Sequence, residues 1–438
     1  MKPSSSEKPS ERLHETTPVL QENALLIATY NGVKERPICE EHLEELSLLA
    51  ETYGITVATK YPCQNKKLDA ATYITSGKLE ELRQLADEIS ATVIIIDEEI
   101  SPSQQRNLEA VFKRPVMDRT EVILGVFAAR AQTREAQVQI ELAKIKYQTP
   151  RLKRLWTHLS RQHGSGGGSG YTKGEGEKQI ELDRRILQSK IDQLQKELEE
   201  VKNVRETQRQ ARVRSEIPVF AIIGYTNAGK STLLNALTNA GVFVEDKLFA
   251  TLDTTTRKFK LPNNQEILLI DTVGFIRKLP HLLVAAFKST LEEAIQADIL
   301  LHLVDSSNPM AEEQIQASLD VLKELGAEDK PMITVLNKVD KPEASSQLHR
   351  LRHLYPNTVE ISAVEKKGFD ELQEAMIREF SKFRKVVKLR VPQSEYHIVS
   401  QAMKLGNVIH QEFEENDVIL RVDLPSAVAA KLAKYTVS

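Results

Sequence analysis

The sequence predicts an α/β protein: two parallel-sheet domains separated by a helical coiled-coil hairpin and followed by a small α+β domain. Three observations carry this. Short apolar runs alternate with amphipathic runs over about 23–118 and again over about 215–384, which is the pattern of strands and covering helices in a parallel sheet. Between these stretches, apolar residues step by four and three over two long segments. A glycine-rich turn, "GYTNAGKST" (224–232), sits where an apolar run gives way to a helical one.

The chain has 438 residues, 41% hydrophobic and 28% charged, with a net charge of −3. That is the composition of a multi-domain globular protein. Only Cys39 and Cys63 are present, so neither a disulfide framework nor a cysteine metal site is expected, in keeping with a reducing cytoplasm. No apolar stretch has the length of a membrane span, so no integral membrane association is expected. Residues 1–22 are polar and are expected to be a disordered tail.

In the first domain, "NALLIATY" and "TVIIID" read as strands, and "EEHLEELSLLAETY" and "PSQQRNLEAVFKR" as helices. The hairpin is placed at 119–214. Val138, Leu142 and Ile145 form one seam, and Leu187, Ile191, Leu194, Leu198 and Val201 the other; an antiparallel hairpin is the expected arrangement and a dimer contact the alternative. Its loop, 149–182, holds "GSGGGSG". Across 142–174 there are seven Lys and Arg residues and no Asp or Glu. Trp156, two tyrosines and two histidines are interleaved with them. Cations meet phosphates and flat rings stack on bases, so RNA is the expected partner, with Arg151, Lys153, Arg154, Trp156, Arg161 and Lys173 as candidates.

The turn "GYTNAGKST" follows the strand "IPVFAII", which makes it a phosphate-binding loop. Gly224 and Gly229 allow close backbone approach to phosphate. Lys230 reaches the β- and γ-phosphates, and the Ser231 hydroxyl can ligate Mg²⁺. Tyr225, Thr226, Asn227 and Ala228 complete the loop. Asp271 ends a second apolar run, "EILLI", and would hold Mg²⁺ through water; Thr272, Val273 and Gly274 follow, and the Gly274 N–H would meet the γ-phosphate. The next residue is Phe275, where many nucleotide hydrolases have a water-orienting glutamine. In the polar loop "LFATLDTTTRKF" (248–259), Thr251, Thr254, Thr255 and Thr256 compete for a metal-binding role. "NKVD" (337–340) follows "MITVL": Asp340 can pair with two guanine donors, Lys338 would lie along the ring, and Asn337 and Val339 flank them. This makes GTP the expected nucleotide. Ser362, Ala363 and Val364 would approach the guanine O6.

These elements together resemble a Ras-like P-loop GTPase domain. "YITSGKLEEL" (73–82), "SPSQQRNLE" (101–109), "MDRTEVILGVFAARAQTREAQVQIELAKIKYQTPRL" (117–152) and "GEGEKQIELDRR" (174–185) narrow the resemblance to HflX, a family of bacterial ribosome-associated GTPases. The resemblance implies a cytoplasmic GTPase that binds the large (50S) ribosomal subunit and its rRNA and splits or rescues stalled ribosomes under stress. No DNA partner is implied, and a monomer is expected. A GTP-switched ribosome-assembly scaffold is the rival reading. The family also implies Thr251 as the switch threonine on Mg²⁺, with Phe249, Ala250, Leu252 and Asp253 beside the nucleotide. It implies slow intrinsic hydrolysis that the ribosome accelerates, and it suggests K⁺ at Asn227. Binding of ATP by the N-terminal part is reported for some members, but this chain carries no second phosphate loop. Two positions depart from the family pattern: Thr254 replaces a proline, and Val364 replaces a lysine.

Overall fold

The computed structural model describes residues 22–65, 67–152, 181–201, 217–238, 248–249, 254–280, 283 and 295–437. The chain divides into two compact units, Met1–Arg119 and Thr120–Ser438.

The first unit is built on a four-stranded parallel sheet: β1 (Asn23–Tyr30), β2 (Thr56–Gln64), β3 (Val93–Ile96) and β4 (Val116–Asp118), in the order β2-β1-β3-β4. β1 and β3 are central, and their runs "ALLI" and "VIII" are buried throughout, as strands covered on both faces must be. The helices are α1 (Arg36–Tyr53), α2 (Ser76–Glu88) and α3 (Pro102–Phe112). Leu25, Ile27, Ile94 and Ile96 share one core with Leu79, Leu82, Leu108 and Phe112. A capping box starts α3: the Ser101 hydroxyl accepts from the Gln104 N–H, and the Gln104 carboxamide from the Ser101 N–H, satisfying donors the helix leaves open. β2 is an edge strand with polar alternation and Pro62, and nothing in its sequence pattern predicted it.

Asp97 follows β3 and Arg119 follows β4, so adjacent parallel strands bring them together. The Arg119 guanidinium donates to Asp97 at 2.8 Å and also pairs with Glu45 of α1; Arg119 and Asp97 are both almost wholly buried.

α4 (Arg119–Arg130) starts at the last residue of the first unit and, within the second, leads to α5 (Arg134–Gln148). α5 runs antiparallel to α6, residues 181–201. Arg134 pairs with Glu197 and Glu141 with Lys190, so position rises on one helix as it falls on the other. Val138, Leu142 and Ile145 meet Ile191 and Leu194 in the seam.

A six-stranded sheet follows, in the order β10-β9-β8-β5-β7-β6. Its strands are β5 (Val219–Gly224), β6 (Thr255–Lys260), β7 (Glu266–Asp271), β8 (Ile299–Asp305), β9 (Met332–Asn337) and β10 (Thr358–Glu360). Only β6, at one edge, runs antiparallel. The helices are α7 (Lys230–Thr238), α8 (Ala311–Glu324), α9 (Ser345–Leu354) and α10 (Phe369–Ser381).

The last segment contains β11 (Arg384–Pro392), α11 (Tyr396–Leu405), β12 (Asn407–Glu414), β13 (Asp417–Pro425), α12 (Ser426–Lys431) and β14 (Thr436–Val437). The order β12-β13-β11-β14, with all neighbours antiparallel, is the split βαβ arrangement.

Replacing Arg119 by Leu leaves the buried Asp97 carboxylate without its cation. The expected loss is about 3–5 kcal/mol of stability in the first unit, measured by urea unfolding. A loss below about 1 kcal/mol, the scale of an exposed pair, would show that this ion pair does not hold the strand ends together.

Candidate nucleotide site

The phosphate loop leaves the central strand β5 and opens α7. Gly224 (φ 143°) and Gly229 (φ 97°) occupy backbone conformations that favour glycine. Space demands it too: a Cβ on Gly224 would lie 2.2 Å from the Leu303 carbonyl oxygen, and one on Gly229 2.4 Å from Asn337 Nδ2. Asn227, at φ 61°, is exposed at the turn. Lys230 is buried and folds onto its own loop, donating to the Tyr225 carbonyl at 2.8 Å and the Gly224 carbonyl at 3.2 Å. Burial pushes its ammonium down to about 8, against the opposing pull of Asp271.

The Ser231 hydroxyl donates to Asp271 Oδ2 at 2.6 Å. Asp271 is fully buried, and burial raises its carboxyl above the usual range despite Lys230 and Ser231. Its Oδ1 has no hydrogen-bond partner among the described residues. A hydroxyl and a carboxylate with a buried, unpaired oxygen form the hard-oxygen donor set that suits Mg²⁺, which GTPases generally use.

Beyond Asp271, Thr272 turns inward and donates to the Ile222 carbonyl. Gly274 packs closely: a Cβ there would sit 2.8 Å from Thr226 Cγ2 and 2.9 Å from Lys230 Nζ. The Phe275 ring is buried. Its N–H donates to the Gly224 carbonyl at 3.0 Å, and its carbonyl accepts from the Thr226 N–H at 2.8 Å. The Tyr225 hydroxyl accepts from the Arg277 N–H at 2.7 Å. So the side chain of Tyr225, expected beside nucleotide, is engaged by the following loop.

At the end of β9, the Asn337 carboxamide donates to the Ala228 carbonyl at 2.8 Å and accepts from the Ala363 N–H at 3.0 Å. Both ends of this side chain are engaged by protein. Lys338 (φ 65°) pairs with Asp305 at 2.7 Å. The Val339 N–H donates to the Ile361 carbonyl. Asp340 is exposed; Ser362 is buried and Val364 is 77% exposed. Asp305 and Ser306, whose hydroxyl donates to the Asn337 carbonyl at 2.6 Å, were not predicted from the sequence. The signal was "VDSS" at the end of an apolar run. His302 was not predicted either: burial and nearby Lys230 push its imidazole down to about 4.

Ala250, Thr251, Leu252 and Asp253 lie outside the described residues. Thr255 and Thr256, read as loop, belong to β6 and pair with Asp271 and Ile270. Their backbone is committed to the sheet edge. The Phe249 ring is buried against Phe127 of α4, with centroids 4.5 Å apart, so its side chain is not offered to a nucleotide. The Arg151 guanidinium, expected to meet RNA, is buried, stacks on the Tyr147 ring at 3.7 Å and donates to the Tyr147 carbonyl. It caps the end of α5. Lys153, Arg154, Trp156, Arg161 and Lys173 lie outside the described residues.

Three family profiles match in tandem: "GTP-binding GTPase N-terminal" at 40–128, "GTP-binding GTPase Middle Region" at 130–212 and "50S ribosome-binding GTPase" at 219–338. The GTPase HflX of Chlamydia pneumoniae is 48% identical over 413 residues, covering 94% of this chain and 88% of that protein. The chain belongs to the HflX GTPase family. The GTPase HflX of Escherichia coli (strain K12) is 39% identical over 90% of this chain and 92% of that one. The crystal structure of a SsGBP–GDP complex is 29% identical, covers 82% of this chain and 98% of that one, and has a TM-score of 0.45; the assignment to HflX does not draw on it. An HflX GTPase is thus a GTP-hydrolysing enzyme built around a GTP-binding domain.

The depressed Lys230 ammonium predicts a pH dependence for nucleotide binding. A diphosphate beside Lys230 favours the charged form, so the bound pKa exceeds the free value of about 8. Binding then takes up a proton, and GDP affinity falls as pH rises through 8. Calorimetry in buffers of different ionisation enthalpy at pH 8 should show that uptake for the wild type. No uptake there would mean that Lys230 does not meet the diphosphate.

Proposed function

We propose that this chain binds GTP with Mg²⁺ in the cradle of Gly224–Ser231, Asp271–Gly274, Asn337–Asp340 and Ser362–Val364, and couples GTP hydrolysis to association with the large ribosomal subunit. The match of residues 219–338 to the "50S ribosome-binding GTPase" profile carries this reading. The acid-free basic interval at 142–174 supports it, because contacts to rRNA phosphate need a local positive patch in a chain of net charge −3. Its place of action in this reading is the cytoplasm, and the cycle serves to split or rescue stalled ribosomes.

Ser231 and Thr251 would hold Mg²⁺ directly, with Asp271 acting through water. The ion would neutralise charge on the phosphates. Lys230 exchanges its two loop carbonyls for phosphate oxygens, and the Gly274 N–H presents a donor to the γ-phosphoryl group. Asp340 selects guanine: an acceptor-only carboxylate pairs with two donors that adenine lacks at that edge. Asn227 presents an exposed carboxamide at the loop, and its oxygen is a fitting donor for K⁺.

Cosedimentation of the full chain with purified large subunits should be strong with a non-hydrolysable GTP analogue and weak with GDP. Combined Lys153→Ala, Arg154→Ala and Arg161→Ala substitution should flatten the salt dependence of that binding. The expected change is about 0.7–0.9 log unit of slope for each phosphate that is no longer neutralised. An unchanged slope would remove the loop from the RNA interface. Separately, wild-type turnover should be faster in K⁺ than in Na⁺, and Asn227→Ala should abolish the difference. Equal wild-type rates in the two salts would end the K⁺ assignment.

A further inference from the structure

Phe275 stands where a water-orienting side chain would be, yet its ring is buried and apolar, and its backbone N–H and carbonyl are bonded to the phosphate loop. Another polar group must do that work or none does. Thr226 is at the right place. Its N–H is fixed by the Phe275 carbonyl at 2.8 Å. Its Cγ2 and Cα lie 2.8 and 2.9 Å from the point where a Gly274 Cβ would be, and Lys230 Nζ lies 2.9 Å from the same point. The side chain is therefore clustered with the ammonium and the glycine that flank the γ-phosphoryl position. Thr226 is 6% exposed, and its Oγ1 has no hydrogen-bond partner among the described residues. A buried hydroxyl without a partner costs stability, and this one belongs to a side chain whose methyl group packs beside Gly274 and Lys230.

We infer that Thr226 is a catalytic residue whose hydroxyl hydrogen-bonds the attacking water, taking the role a glutamine has elsewhere. The inference rests on reading this cradle as the GTP site. In the step, the water oxygen forms a bond to the γ-phosphorus. The bond from that phosphorus to the β–γ bridging oxygen breaks, its electron pair leaves with GDP, and the water proton ends on the released phosphate. The threonine hydroxyl orients the water and undergoes no net proton change. Orientation of this kind acts in the transition state and not in ground-state binding.

The test compares Thr226→Val, which keeps the shape, with Thr226→Ser, which keeps the hydroxyl, by intrinsic GTP turnover and GDP affinity. Thr226→Val should lower kcat about 100-fold, the scale of one missing transition-state hydrogen bond, with KM and GDP affinity unchanged. Thr226→Ser should restore turnover. Wild-type kcat in Thr226→Val overturns the inference. So does equal impairment of the Val and Ser variants, which would assign the effect to packing against Gly274. A parallel loss of GDP affinity in Thr226→Val overturns it too. A Lys230→Ala control separates the two readings: if that variant keeps GDP affinity, the cradle reading itself fails. If it loses affinity while Thr226→Val hydrolyses normally, only the role of Thr226 fails.

Discussion

The carboxamide of Asn337 ties together three loops that leave three different strands. Its NH₂ group holds the phosphate loop at Ala228, and its oxygen holds the loop after β10 at Ala363. Its own backbone carbonyl is gripped by Ser306 at the end of β8. A primary amide donates and accepts in fixed directions at once, which neither a carboxylate nor an aliphatic side chain does. Gly229 is the counterpart, since any side chain would collide with that NH₂ group. Through this clamp the candidate base pocket and the phosphate cradle keep a fixed spacing, and Lys338 and Asp340 inherit their positions from it.

The second constraint is backbone pairing between the phosphate loop and the segment after β7. Phe275 and Gly224 share one hydrogen bond and Phe275 and Thr226 another, which extends the parallel sheet by one bridge past its last residue. Residue 275 is also buried, which suits a large apolar side chain. The buried phenyl ring anchors the segment whose main chain is bonded to the phosphate loop. The chemistry expected of a glutamine therefore cannot come from this position. It must come from polar groups that face the cradle.

The turn and strand ends that form the candidate nucleotide cradle were legible in the sequence because they are punctuated. Gly224 and Gly229 bracket a turn between strand and helix, and Asp271 and Asn337 each close an apolar run. Residues that serve the cradle from inside were hidden. His302 is a lone polar residue inside an otherwise apolar strand, and Asp305 closes that strand without a recognised motif around it. Arg151 looked like part of a basic patch, because sequence cannot show a guanidinium turned back onto Tyr147 at the end of a helix. β2 and β6 were missed for a shared reason: each is an edge strand with polar alternation, and an edge buries too little to leave an apolar signature. The split βαβ arrangement of 384–437 lies in long-range pairings that periodicity does not encode.

The edge-on packing of Phe249 against Phe127 has an energetic consequence. Such a ring pair contributes about 0.5–1.5 kcal/mol beyond the burial of its surface, and it joins the start of the 248–259 polar loop to the helix that leads into the hairpin. With both rings buried, that term adds to the burial of their surfaces, so the contact is a firm tie between the two segments. A rearrangement of residue 249 would uncover the face of α4 at Phe127, so this ring pair couples the backbone at 249 to the root of the hairpin.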